Sequence, residues 1–158
     1  MDKIPSFTIN HLTLMPGVYV SRTDITPSGD PITTFDCRMT APNREPALSV
    51  SALHAIEHLA ATFLRNDKDW SDRIIYWGPM GCCTGNYLIV AGKISAHDVR
   101  ELLLRTFSFI AEYDDMVPGA SPKDCGNYLL MNLPEARMAA RKYIKVLADP
   151  ECPMVYSD

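Results

Sequence analysis

Val50-Ser51-Ala52-Leu53-His54-Ala55-Ile56-Glu57-His58-Leu59-Ala60-Ala61-Thr62-Phe63-Leu64 is an apolar run with no glycine or proline to break a helix. At about 100° per residue, His54, Glu57 and His58 fall within roughly 100° of one another, so two imidazoles and a carboxylate point into one volume. Ala52, Ile56, Leu59 and Phe63 lie on the opposite side, flanked by Leu53, Ala60 and Leu64, so the helix is apolar wherever it is not His or Glu. Such a helix is buried. Imidazoles and a carboxylate inside a protein are costly unless paired, and a divalent cation pairs them. The plain alternative is a pair of core histidines satisfied by backbone carbonyls; two of them four apart with Glu between favour a metal.

On the N-terminal side, Val18-Tyr19-Val20-Ser21-Arg22 reads as a strand, Pro27-Ser28-Gly29-Asp30-Pro31 as a turn, and residues 32–38 as the returning strand of a hairpin. Alternation puts Phe35 and Cys37 on one face and Asp36 and Arg38 on the other, which gives Arg38 a polar or site-facing position. The first ten residues alternate weakly and suit an edge strand or an arm. On the C-terminal side, Arg73-Ile74-Ile75-Tyr76-Trp77 predicts a strand, Gly78-Pro79-Met80-Gly81 a turn, and residues 86–91 a further strand reached through Cys82-Cys83-Thr84-Gly85. Ser95 with Asp98 forms a capping box for a helix through Ile110, and Asn132 caps a last helix running to about Leu147. The tail beyond Pro150 is expected to be loose. Hairpins in place of regular strand–helix–strand alternation predict an α+β class: one domain over residues 1–158, with an antiparallel sheet packed against helices.

The 158 residues fit one domain with a real core. Hydrophobic residues make up 47%, charged residues 22%, and the net charge is −4, with no basic stripe carrying interleaved aromatics, so nucleic acid is not an expected partner. No run approaches the length of a membrane span, and polar residues interrupt the N-terminus before an apolar signal region can form, so a cytoplasmic location is expected. The odd number of cysteines, five, suits free thiols and ligands better than a disulfide framework.

Two histidines make only part of a catalytic metal site, which takes three protein ligands and leaves one position open. The candidates for the third are Cys125, in a Pro/Gly-framed loop beside Gly126, and Glu135 on the last helix. Cys125 is preferred because a thiolate adds affinity for zinc or iron(II).

These residues, with Pro79-Met80-Gly81-Cys82-x-Thr84-Gly85, Cys125-Gly126, Ser6-Phe7, His11 and Phe35-Asp36-x-Arg38-x-x-x-Pro42-Asn43, resemble the S-ribosylhomocysteine lyase (LuxS) family over nearly the whole chain. The resemblance implies a homodimer with both active sites at the subunit interface. It implies a metal, iron(II) replaceable by zinc, held by His54, His58 and Cys125 plus water. Cys82 and Glu57 become the acid–base pair and Arg38 a polar clamp on the sugar, while Ser6, Phe7 and His11 reach across from the neighbouring chain. The implied reaction cleaves the thioether of S-ribosylhomocysteine to homocysteine and 4,5-dihydroxy-2,3-pentanedione, the autoinducer-2 precursor, through metal-assisted enediolate isomerisation and β-elimination. Such chemistry suits the residues: moving a carbonyl along a sugar needs a base beside it and a Lewis acid on the oxygens.

Two positions depart from the family pattern. Tyr76 stands where the family has an acidic residue, which bears on how the homocysteine end of the substrate is held, and Cys83 follows Cys82 where a Gln or Arg is usual. Two rival readings remain: a small His-x-x-Glu-His metallopeptidase with Glu135 as third ligand, and a non-catalytic metal-stabilised dimer module.

Overall fold

The computed structural model describes Ile4 and residues 7–157. Among the described residues the elements are β1 (Gly17–Ile25), β2 (Pro31–Arg38), α1 (Val50–Asn66), β3 (Ile74–Pro79), β4 (Gly85–Ala91), α2 (Ala96–Glu112) and α3 (Leu133–Ala148), with a 3-10 turn at Ser71–Arg73. The strands form an antiparallel sheet in the order β1-β2-β4-β3. The α+β class and the antiparallel sheet packed against helices are therefore as the sequence implies.

Period-2 alternation sorts the sheet into two faces. One row crosses it as Val20, Phe35, Leu88 and Trp77, and with Val18, Cys37 and Val90 these residues join a core to which all three helices contribute. Trp77 meets Phe107 of α2 at 6.0 Å between ring centroids, and Phe107 meets Tyr143 of α3 at 4.8 Å, both edge-on. The helices begin where their caps dictate: the Ser49 side chain accepts from the Ala52 amide, Ser95 and Asp98 close a capping box, and Asn132 accepts from the Glu135 amide.

The opposite face carries polar and aromatic rows, Tyr19–Asp36–Tyr87–Gly78 and Arg22–Thr34–Ile89–Tyr76. Among the described residues the N-terminal stretch adds no strand; Phe7, Ile9 and His11 line a cavity on this face, in keeping with an arm. At the other end the chain departs from expectation, because the segment after Pro150 is seated and not loose. The Val18 amide donates to Pro153 O at 3.0 Å, Cys152 is buried, and the Tyr156 ring stacks on Tyr19 at 4.6 Å and 7°. The physical reason is an aromatic platform that Tyr19 offers only once β1 is in register beside β2. No helix among the described residues is long and apolar enough to cross a membrane.

Candidate active site

Helix α1 presents His54, Glu57 and His58 at its rim, half-buried, while Ala52, Ile56, Leu59 and Ala60 enter the core. Each imidazole is oriented by a backbone carbonyl: His54 Nδ1 lies 2.7 Å from Leu130 O and His58 Nδ1 2.7 Å from Pro118 O. A carbonyl only accepts, so Nδ1 carries the proton and Nε2 is left as a free lone pair. The loop between α2 and α3 supplies both carbonyls and the third donor. Within it Gly119 has φ +72°, and a β-carbon there would stand 3.2 Å from His58 Nδ1, so the backbone conformation and the close approach to the ring both require glycine. The same loop brings Cys125 Sγ to 3.4 Å from His54 Nε2.

The donor atoms of His54, His58 and Cys125 all lie within 4.8 Å of one another. Two Nε2 lone pairs and one thiol, each fixed by a second contact, suit a tetrahedral divalent ion with one open position. Among the described residues this group could hold a metal ion, and it includes Cys125 and not Glu135. Glu135, the third ligand of the metallopeptidase reading, instead accepts a hydrogen bond from Ser49 Oγ at the start of α1 and lies outside that group. Glu57 and His54 line a mainly apolar cavity of about 340 Å³ together with Pro79, Met80, Gly81, Cys83 and Leu130.

A second cluster is built on the other face of the sheet. Arg38 is 3% exposed and forms a two-pronged pair with Asp36, Nη2 to Oδ2 at 2.6 Å and Nε to Oδ1 at 3.0 Å. It is thus a buried, oriented guanidinium and not a solvated one. Its remaining donors reach Thr84 Oγ1 at 2.6 Å and Cys82 Sγ at 3.8 Å, and Cys82 Sγ lies 3.1 Å from Thr84 Oγ1. Burial opposes ionisation of the Cys82 thiol, but hydrogen bonds from Thr84 and the Arg38 charge outweigh it and hold the thiol below its ordinary range. Phe7, His11, Asp36, Arg38, Cys82 and Tyr87 share a cavity of about 240 Å³.

The vicinal thiols therefore serve different cavities. The turn is closed by Cys83 N donating to Met80 O and Met80 N donating to Gly85 O, both at 2.9 Å, and Cys83 adopts φ +59°. That left-handed residue reverses the chain between neighbours, so Cys82 faces Arg38 while Cys83 faces the side of His54 and Glu57. Among the described residues the two cavities have only Met80 and Gly81 in common.

The residues singled out in the sequence thus fall into two groups, His54, Glu57, His58 and Cys125 in one, and Phe7, His11, Arg38 and Cys82 in the other. Ser6 lies outside the described residues. Tyr76 joins neither group. It lines a neighbouring hollow with Ser21, Arg22, Thr34, Tyr87 and Ile89, and its ring folds back so that a β-carbon on Gly78 would stand 1.9 Å from the phenol oxygen. The Tyr76 side chain occupies the space that a side chain at position 78 would need. Sequence reasoning missed Thr84 and the anchoring role of Asp36; the spacing of Asp36 and Arg38 on one strand face was the available sign of their pairing.

The family model for S-ribosylhomocysteinase (LuxS) matches residues 4–151. The chain is 58% identical over 144 residues to the S-ribosylhomocysteine lyase of Phocaeicola vulgatus, an alignment covering 91% of this chain and 89% of the relative. It is 57% identical over 145 residues to that of Clostridium beijerinckii, covering 91% and 90%, and 52% identical over 149 residues to that of Porphyromonas gingivalis, covering 94% and 93%.

Proposed function

This chain belongs to the S-ribosylhomocysteinase (LuxS) family, and from that premise we infer its reaction. It is a carbon–sulfur lyase that cleaves the thioether of S-ribosylhomocysteine, releasing homocysteine and 4,5-dihydroxy-2,3-pentanedione, the autoinducer-2 precursor. The observation that carries the reading is the convergence of His54, His58 and Cys125 within 4.8 Å, on the helix rim that also carries Glu57.

His54, His58 and Cys125 would hold a divalent ion, iron(II) natively and zinc as a substitute, which supplies Lewis acidity to the substrate's carbonyl and hydroxyl oxygens. Cys82, kept acidic by Thr84 and Arg38, takes the proton from the carbon beside the carbonyl and returns it to the former carbonyl carbon, so that the carbonyl moves one carbon along. Repetition of that transfer carries the carbonyl along the sugar until it lies two bonds from the carbon bearing sulfur. Glu57 moves the hydroxyl protons and removes the last carbon-bound proton as the carbon–sulfur bond breaks and homocysteine leaves as its thiolate. Arg38, which Asp36 holds in place, also clamps the sugar hydroxyls.

The protein acts as a homodimer in the cytoplasm. Its metal group and its Cys82 group line separate cavities, which supports a site that joins the metal group of one chain to Phe7, His11, Arg38 and Cys82 of the other; the family resemblance adds Ser6 to that site. The free state of all five cysteines suits a reducing compartment.

Incubation of the metal-loaded protein with S-ribosylhomocysteine should liberate free homocysteine thiol. Tyr76 sets how tightly the amino acid end is held, because a phenol cannot supply the charge that an acidic side chain offers a substrate ammonium. Tyr76→Asp is therefore expected to lower KM about tenfold, the weight of one charge-assisted hydrogen bond, and to leave kcat within about twofold. A wild-type preference for the deaminated analogue over S-ribosylhomocysteine would overturn the substrate and leave only the sugar chemistry.

A further inference from the structure

The segment after Glu151, where the family match ends, runs back across the sheet toward the Cys82 cluster. Its path is fixed at several points. A β-carbon on Gly17 would stand 2.3 Å from Pro153 O, so β1 carries a glycine where the tail crosses it. Val18 N donates to that same oxygen, and Ser157 Oγ donates to Thr13 Oγ1 at 3.3 Å. Between these anchors the Tyr156 ring lies nearly parallel on Tyr19, and its hydroxyl donates to Asp36 Oδ2 at 3.0 Å.

Asp36 Oδ2 is the oxygen that also accepts from Arg38 Nη2. A continuous set of contacts therefore leads from the tail to the thiol: Tyr156 Oη to Asp36, Asp36 to Arg38, and Arg38 to Thr84 and Cys82. We propose that Tyr156 is a positioning residue for the lyase reaction, acting through Asp36 and Arg38 on the Cys82 thiolate. By donating to Asp36, the phenol satisfies a carboxylate that would otherwise press its full charge on the cluster. It leaves Nη1 of Arg38 free for Thr84 and Cys82.

The ring also covers a buried ion pair, and covering it keeps the effective dielectric low, so the guanidinium acts on the thiol with little screening. Burial, followed by the Asp36 charge, pushes the Tyr156 phenol far above its ordinary range, so it stays a proton donor at every pH at which the enzyme works. The other titratable groups around the thiol are Asp36 and Arg38 of β2, Tyr87 of β4, Tyr19 of β1 and His11 of the N-terminal arm. The phenols of Tyr19 and Tyr87 are likewise held above their ordinary range, first by burial and then by Asp36.

This inference rests on Cys82 as the acid–base thiol, and its test can be read without turnover. In the full-length, metal-loaded protein, the pH dependence of Cys82 alkylation by iodoacetamide is followed by mass spectrometry, with fragmentation separating Cys82 from Cys83 in their shared peptide. Tyr156→Phe keeps the ring and loses the donor, and should raise the alkylation midpoint by about half a pH unit; Tyr156→Leu should raise it by about one. The acid limb of kcat/KM should move up by the same amounts. A Tyr156→Phe midpoint equal to wild type, with or without a lower melting temperature, would overturn the proposal and leave the tail a packing element. Full turnover by Cys82→Ala would instead overturn the role of Cys82, while the alkylation shift would stand as its own result.

Discussion

Cys82→Ala is expected to lower kcat by about a thousandfold, the range of a lost general acid–base group, whereas Cys83→Ala retains most of the activity. Both thiols sit on one turn and both are reachable, so sequence position alone does not separate them. Their surroundings do. Cys82 lies 3.1 Å from the Thr84 hydroxyl and 3.8 Å from an Arg38 guanidinium that its pair with Asp36 keeps from swinging away. The Cys83 thiol bonds within its own turn, Sγ donating to Gly81 O at 3.8 Å, and faces the cavity of His54 and Glu57, whose lining among the described residues holds no Lys or Arg. A thiol becomes a useful base only where the thiolate is stabilised. Steady-state kinetics on both variants check this, and comparable losses would reverse the assignment or share it between the two.

Removal of any one metal ligand should have an equally large effect, with a different cause. His54→Ala, His58→Ala and Cys125→Ala should each purify with far less than the one ion per chain that a three-ligand site holds, because two remaining ligands bind weakly. The second contacts orient the ligands: Leu130 O and Pro118 O accept from Nδ1 of His54 and His58 and fix the direction of both rings. Glu57→Ala should keep the ion and lose turnover, since Glu57 lines the cavity without joining the ligand group. Elemental analysis beside the homocysteine assay separates the two classes. A Glu57 variant stripped of metal as thoroughly as a histidine variant would show that Glu57 is a ligand.

Most of this architecture is legible in the chain because local rules and tertiary structure agree. Residues 50–64 announce a buried helix by the absence of breakers and by their apolar faces, and Ser95 with Asp98 closes the capping box its spacing implies. Strand pairing in β1 and β2 follows from the turn around Gly29 and from alternation. What escaped depends on contacts distant in sequence. Nothing near Tyr156 marks it as a partner of Asp36, a pairing across 120 residues, and Cys152 and Pro153 look like any polar terminus until β1 provides a surface. The opposed directions of Cys82 and Cys83 depend on a left-handed φ at a non-glycine residue, which no propensity predicts. Hence the sequence placed Arg38 on the polar face but could not tell a solvated guanidinium from a buried one.

The most direct measurement is on mixed dimers. His54→Ala and Cys82→Ala chains carrying different affinity tags are co-expressed, and homocysteine release is assayed after subunit exchange. Each parent alone should be inactive. If each site takes its metal group from one chain and its thiol from the other, every mixed dimer holds one intact site and one doubly damaged site. Half of the dimers in an equal mixture are mixed, so about a quarter of wild-type turnover should return, and about half in doubly tag-purified heterodimer. No recovery in heterodimer whose composition has been verified would place the metal group and Cys82 of one site within a single chain, contradicting the shared-site arrangement.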